Sequence, residues 1–95
     1  MAGTIVTLQP PPQYDVVPPV PVIEQVLSRE AVQKFCLHRY PGIKLAEGEF
    51  IRGCTMFLTT GGTKSCLVIR IDDEFVRRHE IAHCAGWPAD HPGGK

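Results

Sequence analysis

The residues whose types and spacing could do chemistry are His79, Glu80 and His83, in the run His79-Glu80-Ile81-Ala82-His83. On a helix, positions four apart sit about 40° apart around the axis, so the two imidazoles project from one side and can bind one metal in cis. Glu80 falls about 60° beyond His83, at the rim of that face, where it can hold a water without itself being a ligand. Zinc on neutral imidazoles lowers the pKa of its water to about 7 and polarises a carbonyl. The glutamate then serves as general base and hands the proton to the leaving amine. Two unpaired histidines on the apolar face made by Phe75, Val76, Ala82 and Gly86 would be costly without such a partner.

A catalytic zinc keeps three protein ligands and one open position, so a third donor is required. The helix breaks at Gly86 and Pro88, and the following Trp87-Pro88-Ala89-Asp90-His91 can fold back beneath the metal. His91 is the preferred third ligand. Asp90 is the alternative, and otherwise an acceptor that fixes the orientation of a histidine ring.

Several elements must position these groups. The last helix is expected from Asp73 to about Ala85, capped by Asp72 or Asp73, with Glu74 in its first turn. Before it, Phe50 to Leu58 and Ser65 to Ile71 read as two strands joined through Thr59-Thr60-Gly61-Gly62-Thr63-Lys64, an antiparallel hairpin. An earlier helix begins near Ser28, places Val32, Phe35 and Cys36 on one face and stops at Pro41-Gly42. His38 and Tyr40 at its end read as surface or capping residues. The class is α+β, with an N-terminal helix, a hairpin or small sheet, and a C-terminal helix carrying the site.

The run Pro10 to Pro21 holds too much proline for a helix or central strand, so residues 1–24 are expected to form an extended arm, a spacer or a strap, and residues 25–95 the metal-binding domain. The arm is not expected to join the core. The remaining domain is small enough to need a staple, and Cys36, Cys54, Cys66 and Cys84 offer one. No two of them form a Cys-x-x-Cys pair, which favours disulfides over a zinc ribbon and points to an extracytoplasmic, periplasmic or secreted, location. Cys54 and Cys66 could bridge across the hairpin, leaving Cys36 to Cys84. A two-residue Gly61-Gly62 loop would instead set Cys54 opposite Ile69, so all three connectivities remain open.

Lysine plus arginine equals aspartate plus glutamate at ten each, and the arginines are scattered, which disfavours nucleic acid as a partner. No apolar run is long enough to span a bilayer, and Met1 to Val6 lacks the features of a signal peptide.

The segment from His79 to His91 resembles the helix of zincin metallopeptidases, in particular that of small bacterial zincin-like proteins ending in His-Glu-x-x-His-x-x-Gly-Trp-x-x-Asp-His. The likeness is looser over Gly53-Cys54 and Cys66 and absent from the arm. Metzincins share His-Glu-x-x-His-x-x-Gly but place their third histidine where this chain has Ala89, and they follow it with a methionine turn that is missing here. The resemblance implies a zinc-dependent hydrolase of peptide or protein substrates, with a strand edge near the helix receiving the substrate backbone. The alternative is a non-catalytic zinc-stabilised module of an export, conjugation or phage apparatus, favoured by the small size of the chain. A disulfide-rich interaction domain without metal would require the histidine spacing to be accidental.

Overall fold

Two helices and three strands follow one another as β1 (Val22–Val26), α1 (Arg29–Arg39), β2 (Gly53–Thr60), β3 (Thr63–Arg70) and α2 (Glu74–Cys84) in the computed structural model, which describes residues 8–95. The class is α+β, and the sheet is mixed. The leader expectation for Met1 to Val6 and the first part of the arm lie outside the described residues.

β2 and β3 form the antiparallel hairpin, with Thr60 opposite Thr63 across the two-residue loop Gly61-Gly62. Both glycines take positive φ, 57° and 82°, as the tight turn that matches strand twist requires. The strands run closer to the turn than the sequence suggests, and β2 begins at Gly53 rather than Phe50. β1 is unanticipated. It pairs in parallel with β3, Val22 beside Cys66 and Val26 beside Arg70, so the sheet order is β1-β3-β2. A five-residue edge strand next to Pro21 gives little periodic signal, and its place is decided by the long-range partner β3. The strand crosses position 24, and Val20 and Val22 pack on a core cluster, so this end of the arm does join the core.

The helices lie on opposite faces of the sheet. Ser28 caps α1 by accepting from Ala31 N–H, and α1 ends at Arg39, since the residue before Pro41 is pushed out of helical conformation. Its Val32 and Cys36 pack with Cys54, Met56 and Ile69. On the other face Cys66 and Val68 of β3 meet Cys84 of α2. Asp73 caps α2 through Phe75 and Val76 N–H.

Alternation along the strands dictates the disulfides. Cys54 is opposite Ile69, as a two-residue loop demands, and therefore faces α1, whereas Cys66 faces α2. A Cys54 to Cys66 bridge is thus geometrically excluded. The bonds are Cys36–Cys54 and Cys66–Cys84, each fastening one helix to its own face of the sheet. Two disulfides fit an oxidising location. Among the described residues, no helix is long and apolar enough to cross a membrane.

Candidate metal centre

α2 turns its stripe Val76, Glu80 and Cys84 onto the sheet and leaves His79 and His83 half-buried beside it. The chain then reverses at Gly86. Trp87 N–H donates to Ala82 C=O at 3.0 Å, and His91 N–H donates to Pro88 C=O at 2.9 Å, closing a turn that brings the tail back under the helix. His91 takes φ 57°, a left-handed conformation uncommon for a residue with a side chain, and this swings its ring toward the other two histidines.

The three Nε2 atoms converge. His79 Nε2 lies 3.3 Å from that of His83 and 3.2 Å from that of His91, and the ring centroids are 4.8 to 5.0 Å apart. The opposite nitrogens explain why. His79 Nδ1–H donates to Leu8 C=O and His83 Nδ1–H to Trp87 C=O, both at 2.7 Å. A carbonyl can only accept, so it fixes the proton on Nδ1 and leaves a lone pair on Nε2 whenever the ring is neutral. Burial lowers the pKa of both rings, more than their carbonyl partners restore, and it lowers that of His91 as well. Neutral His79 and His83 thus turn Nε2 lone pairs at each other, which repel unless a cation or a proton sits between them. His79, His83 and His91 could therefore hold a metal ion.

The donor spacing fits. Bonds of about 2.0–2.1 Å in tetrahedral array put neighbouring nitrogens about 3.3 Å apart, close to the two separations seen here. Trp87, only 2% exposed, stacks on His83 at an interplanar angle of 18° and anchors the tail by donating from its indole N–H to Pro92 C=O. Asp90 is not brought into the donor group. It is exposed and acts on His91 only through its charge.

No known protein family, curated protein or solved structure matches this chain.

Glu80 stands outside the donor group, 7% exposed, between α2 and β2. Thr55 Oγ1–H donates to its Oε1 at 2.7 Å, while burial pushes its carboxyl pKa up against the Thr55 bond and the field of His83. The helix can approach this closely because Gly53 has no side chain. A Cβ there would meet Glu80 Cγ, Val76 Cγ1 and Ile69 O at 3.1 Å each. Glu80 and the histidines line one open groove of about 680 Å³, with Leu8, Tyr40, Phe57 and Trp87 as apolar walls. Tyr40 is more than the expected cap of α1. Its hydroxyl donates to Thr55 C=O at 2.8 Å, on the outer edge of β2.

Leu8, Thr55 and Tyr40 carry no signal in the sequence. The first acts through its main chain, and the other two matter only because β2 lies against both helices. The arm is a strap with a defined seat. Gln9 and Lys95 exchange two backbone hydrogen bonds, and Asp15 pairs with Arg78, so the two ends of the described chain are lashed together beside His79.

Proposed function

We propose that this chain is a zinc-dependent peptidase-type hydrolase acting outside the cytoplasm, where its two disulfides persist. The observation that carries the reading is the convergence of three Nε2 atoms, two of them with lone pairs fixed by carbonyls at the far ring nitrogen, beside a buried carboxyl group that is not in the donor set. A purely structural site has no use for Glu80. Zinc bound there would acidify a water and polarise a substrate carbonyl. Glu80 would take the proton of the attacking water and pass it to the departing amine nitrogen, held in place by Thr55.

The outer edge of β2 suits an extended substrate. Thr60 and Thr63 flank a two-residue loop and form a hydrogen-bonded pair, so Gly53, Phe57 and Thr59 turn their N–H and C=O groups away from β3, as does Thr55, whose C=O already accepts from Tyr40 and whose N–H is left for a substrate. A peptide strand laid there would cross the groove beside Glu80.

One observation favours the second reading, a metal staple without turnover. His91 lies on the tail, and a metal joining it to α2 would fasten that tail as the disulfides fasten the helices. Zinc content and peptide hydrolysis of wild type and Glu80→Gln separate the two. Zinc in both proteins with hydrolysis only in wild type supports the enzyme, whereas zinc in both and hydrolysis in neither supports the staple.

A further inference from the structure

The six arginines divide into two sets. Arg70 and Arg77 share Glu24, and Arg78 holds Asp15, so these three bind β1 and the arm to the rest of the chain. Among the described residues Arg29, Arg39 and Arg52 have no salt-bridge partner. They lie instead on aromatic rings, Arg29 and Arg52 on Phe50 at 4.7 and 5.3 Å, and Arg39 on Tyr40 at 5.0 Å.

Of these, Arg52 lines the groove that holds the histidines and Glu80. Its Nε is buried and has no hydrogen-bond partner. The residue as a whole is half-buried, so a ligand in the groove would be met by the outer amino groups of the guanidinium rather than by Nε. Its backbone is held on both sides. Ile71 N–H donates to Arg52 C=O at 3.0 Å, and the preceding Ile51 N–H donates to Gln33 Oε1 at 3.3 Å. By strand alternation Arg52, opposite Ile71, shares the Cys54 face turned toward α1, while Gly53 and Thr55 meet Glu80 on the other, so Arg52 borders the groove across the outer edge of β2 from the base. Beside Arg52 the groove is walled by Tyr40 and Ile43, an apolar setting in which a charge-assisted bond is stronger than in water.

We propose that Arg52 forms a carboxylate-binding subsite, so that the peptides this groove prefers carry a carboxylate, from an Asp or Glu side chain or from the chain terminus, next to apolar residues. The planar guanidinium presents two parallel N–H donors that match a carboxylate's two oxygens. The peptide nature of the ligand rests on the peptidase reading above, but the preference for a carboxylate is measurable without turnover.

The test uses the zinc-loaded full chain, immobilised, and hexapeptide pools of Ala, Leu, Phe and Gly. One pool carries a single Glu at every position in turn and its match carries Gln, each with a free or an amidated C-terminus. Mass spectrometry reads retention, and hydrolysis is followed separately in solution. Retention about tenfold higher for the two pools that carry the recognised carboxylate is expected, from the usual strength of a hydrogen-bonded charge pair. A Glu over Gln preference assigns a side chain, and a free over amidated preference assigns the terminus. Arg52→Gln should abolish the preference and Arg52→Lys keep part of it, with metal content unchanged. Equal retention of all four pools by wild type, or none of any, overturns the proposal, and so does a preference that survives in Arg52→Gln. If Arg52→Gln fails to fold, Arg52→Lys decides, because a preference owed to the zinc would be the same in that variant as in wild type. Preference without hydrolysis would sink the peptidase reading and leave the subsite standing.

Discussion

Helices α1 and α2 are each eleven residues long, and each is tied to one face of the same sheet by a disulfide spanning 18 positions. Their surroundings differ. Under α1 the buried residues are Val32, Cys36, Ile51, Cys54, Met56 and Ile69, all apolar. Under α2 the buried apolar residues are Val76, Ala82 and Cys84 of the helix, Cys66 and Val68 of the sheet and Trp87 of the tail, but Glu80 is buried as well and three histidines are half-buried nearby. One face holds the molecule together, and the other carries polar groups whose burial costs stability. The Cys66–Cys84 staple bears on the site, because Cys84 directly follows His83 on the helix that carries two of the three imidazoles.

The comparison breaks first at the histidines. Replacing His79 or His83 by alanine should end stoichiometric metal binding, a loss of more than about a hundredfold in affinity, with the α1 face intact by circular dichroism. Isothermal titration with zinc reads this. Next come the staples. Loop-closure entropy assigns each disulfide about 3 kcal/mol. Denaturation of the paired cysteine-to-alanine variants should show similar losses, but only removal of Cys66 and Cys84 should also weaken metal binding. Equal weakening by both variants would erase the distinction between the faces.

A smaller effect is expected from the strap. Deleting residues 1–9 removes the Leu8 carbonyl from His79, and zinc affinity should fall by about ten- to a hundredfold, as when a ligand loses its hydrogen-bonded support. An unchanged affinity would show that Trp87 and the tail suffice to orient the rings. The smallest effect is a pH dependence of metal-free stability. The folded histidines, with pKa lowered by burial, refuse protons that the unfolded chain accepts near 6.5. Stability should therefore decline as pH drops below about 6.5 and level off once the lowered values are passed. Glu80 acts in the opposite sense, since its raised pKa adds a cost only as pH climbs above the ordinary 4.5. Urea unfolding of Glu80→Gln should accordingly show a steeper net rise in stability from acid to neutral pH than wild type.

How legible these two faces were in the sequence follows from what each depends on. α2, its Asp73 cap, the histidine spacing and the hairpin all rest on local pattern, and they were readable. The Gly61-Gly62 loop even set Cys54 opposite Ile69, which suffices to part Cys54 from Cys66 once both faces are known to be covered. That second fact was hidden, because β1 is short, follows a proline-rich run and pairs with a strand more than 40 residues away. The carbonyls of Leu8 and Trp87 were hidden for a different reason. Any residue supplies a carbonyl, so only the path of the chain can reveal which one meets a histidine.

The central claim is that three imidazoles, and no carboxylate, collect one metal ion in this groove. X-ray absorption at the zinc edge of the stoichiometrically loaded protein tests it most directly. The account predicts three imidazole nitrogens at about 2.0–2.1 Å and one light oxygen donor that is exchangeable solvent, unchanged in Asp90→Asn and reduced by one imidazole in His91→Ala. A shell with two imidazoles and a carboxylate lost in Asp90→Asn, or no stoichiometric zinc at all, would contradict it.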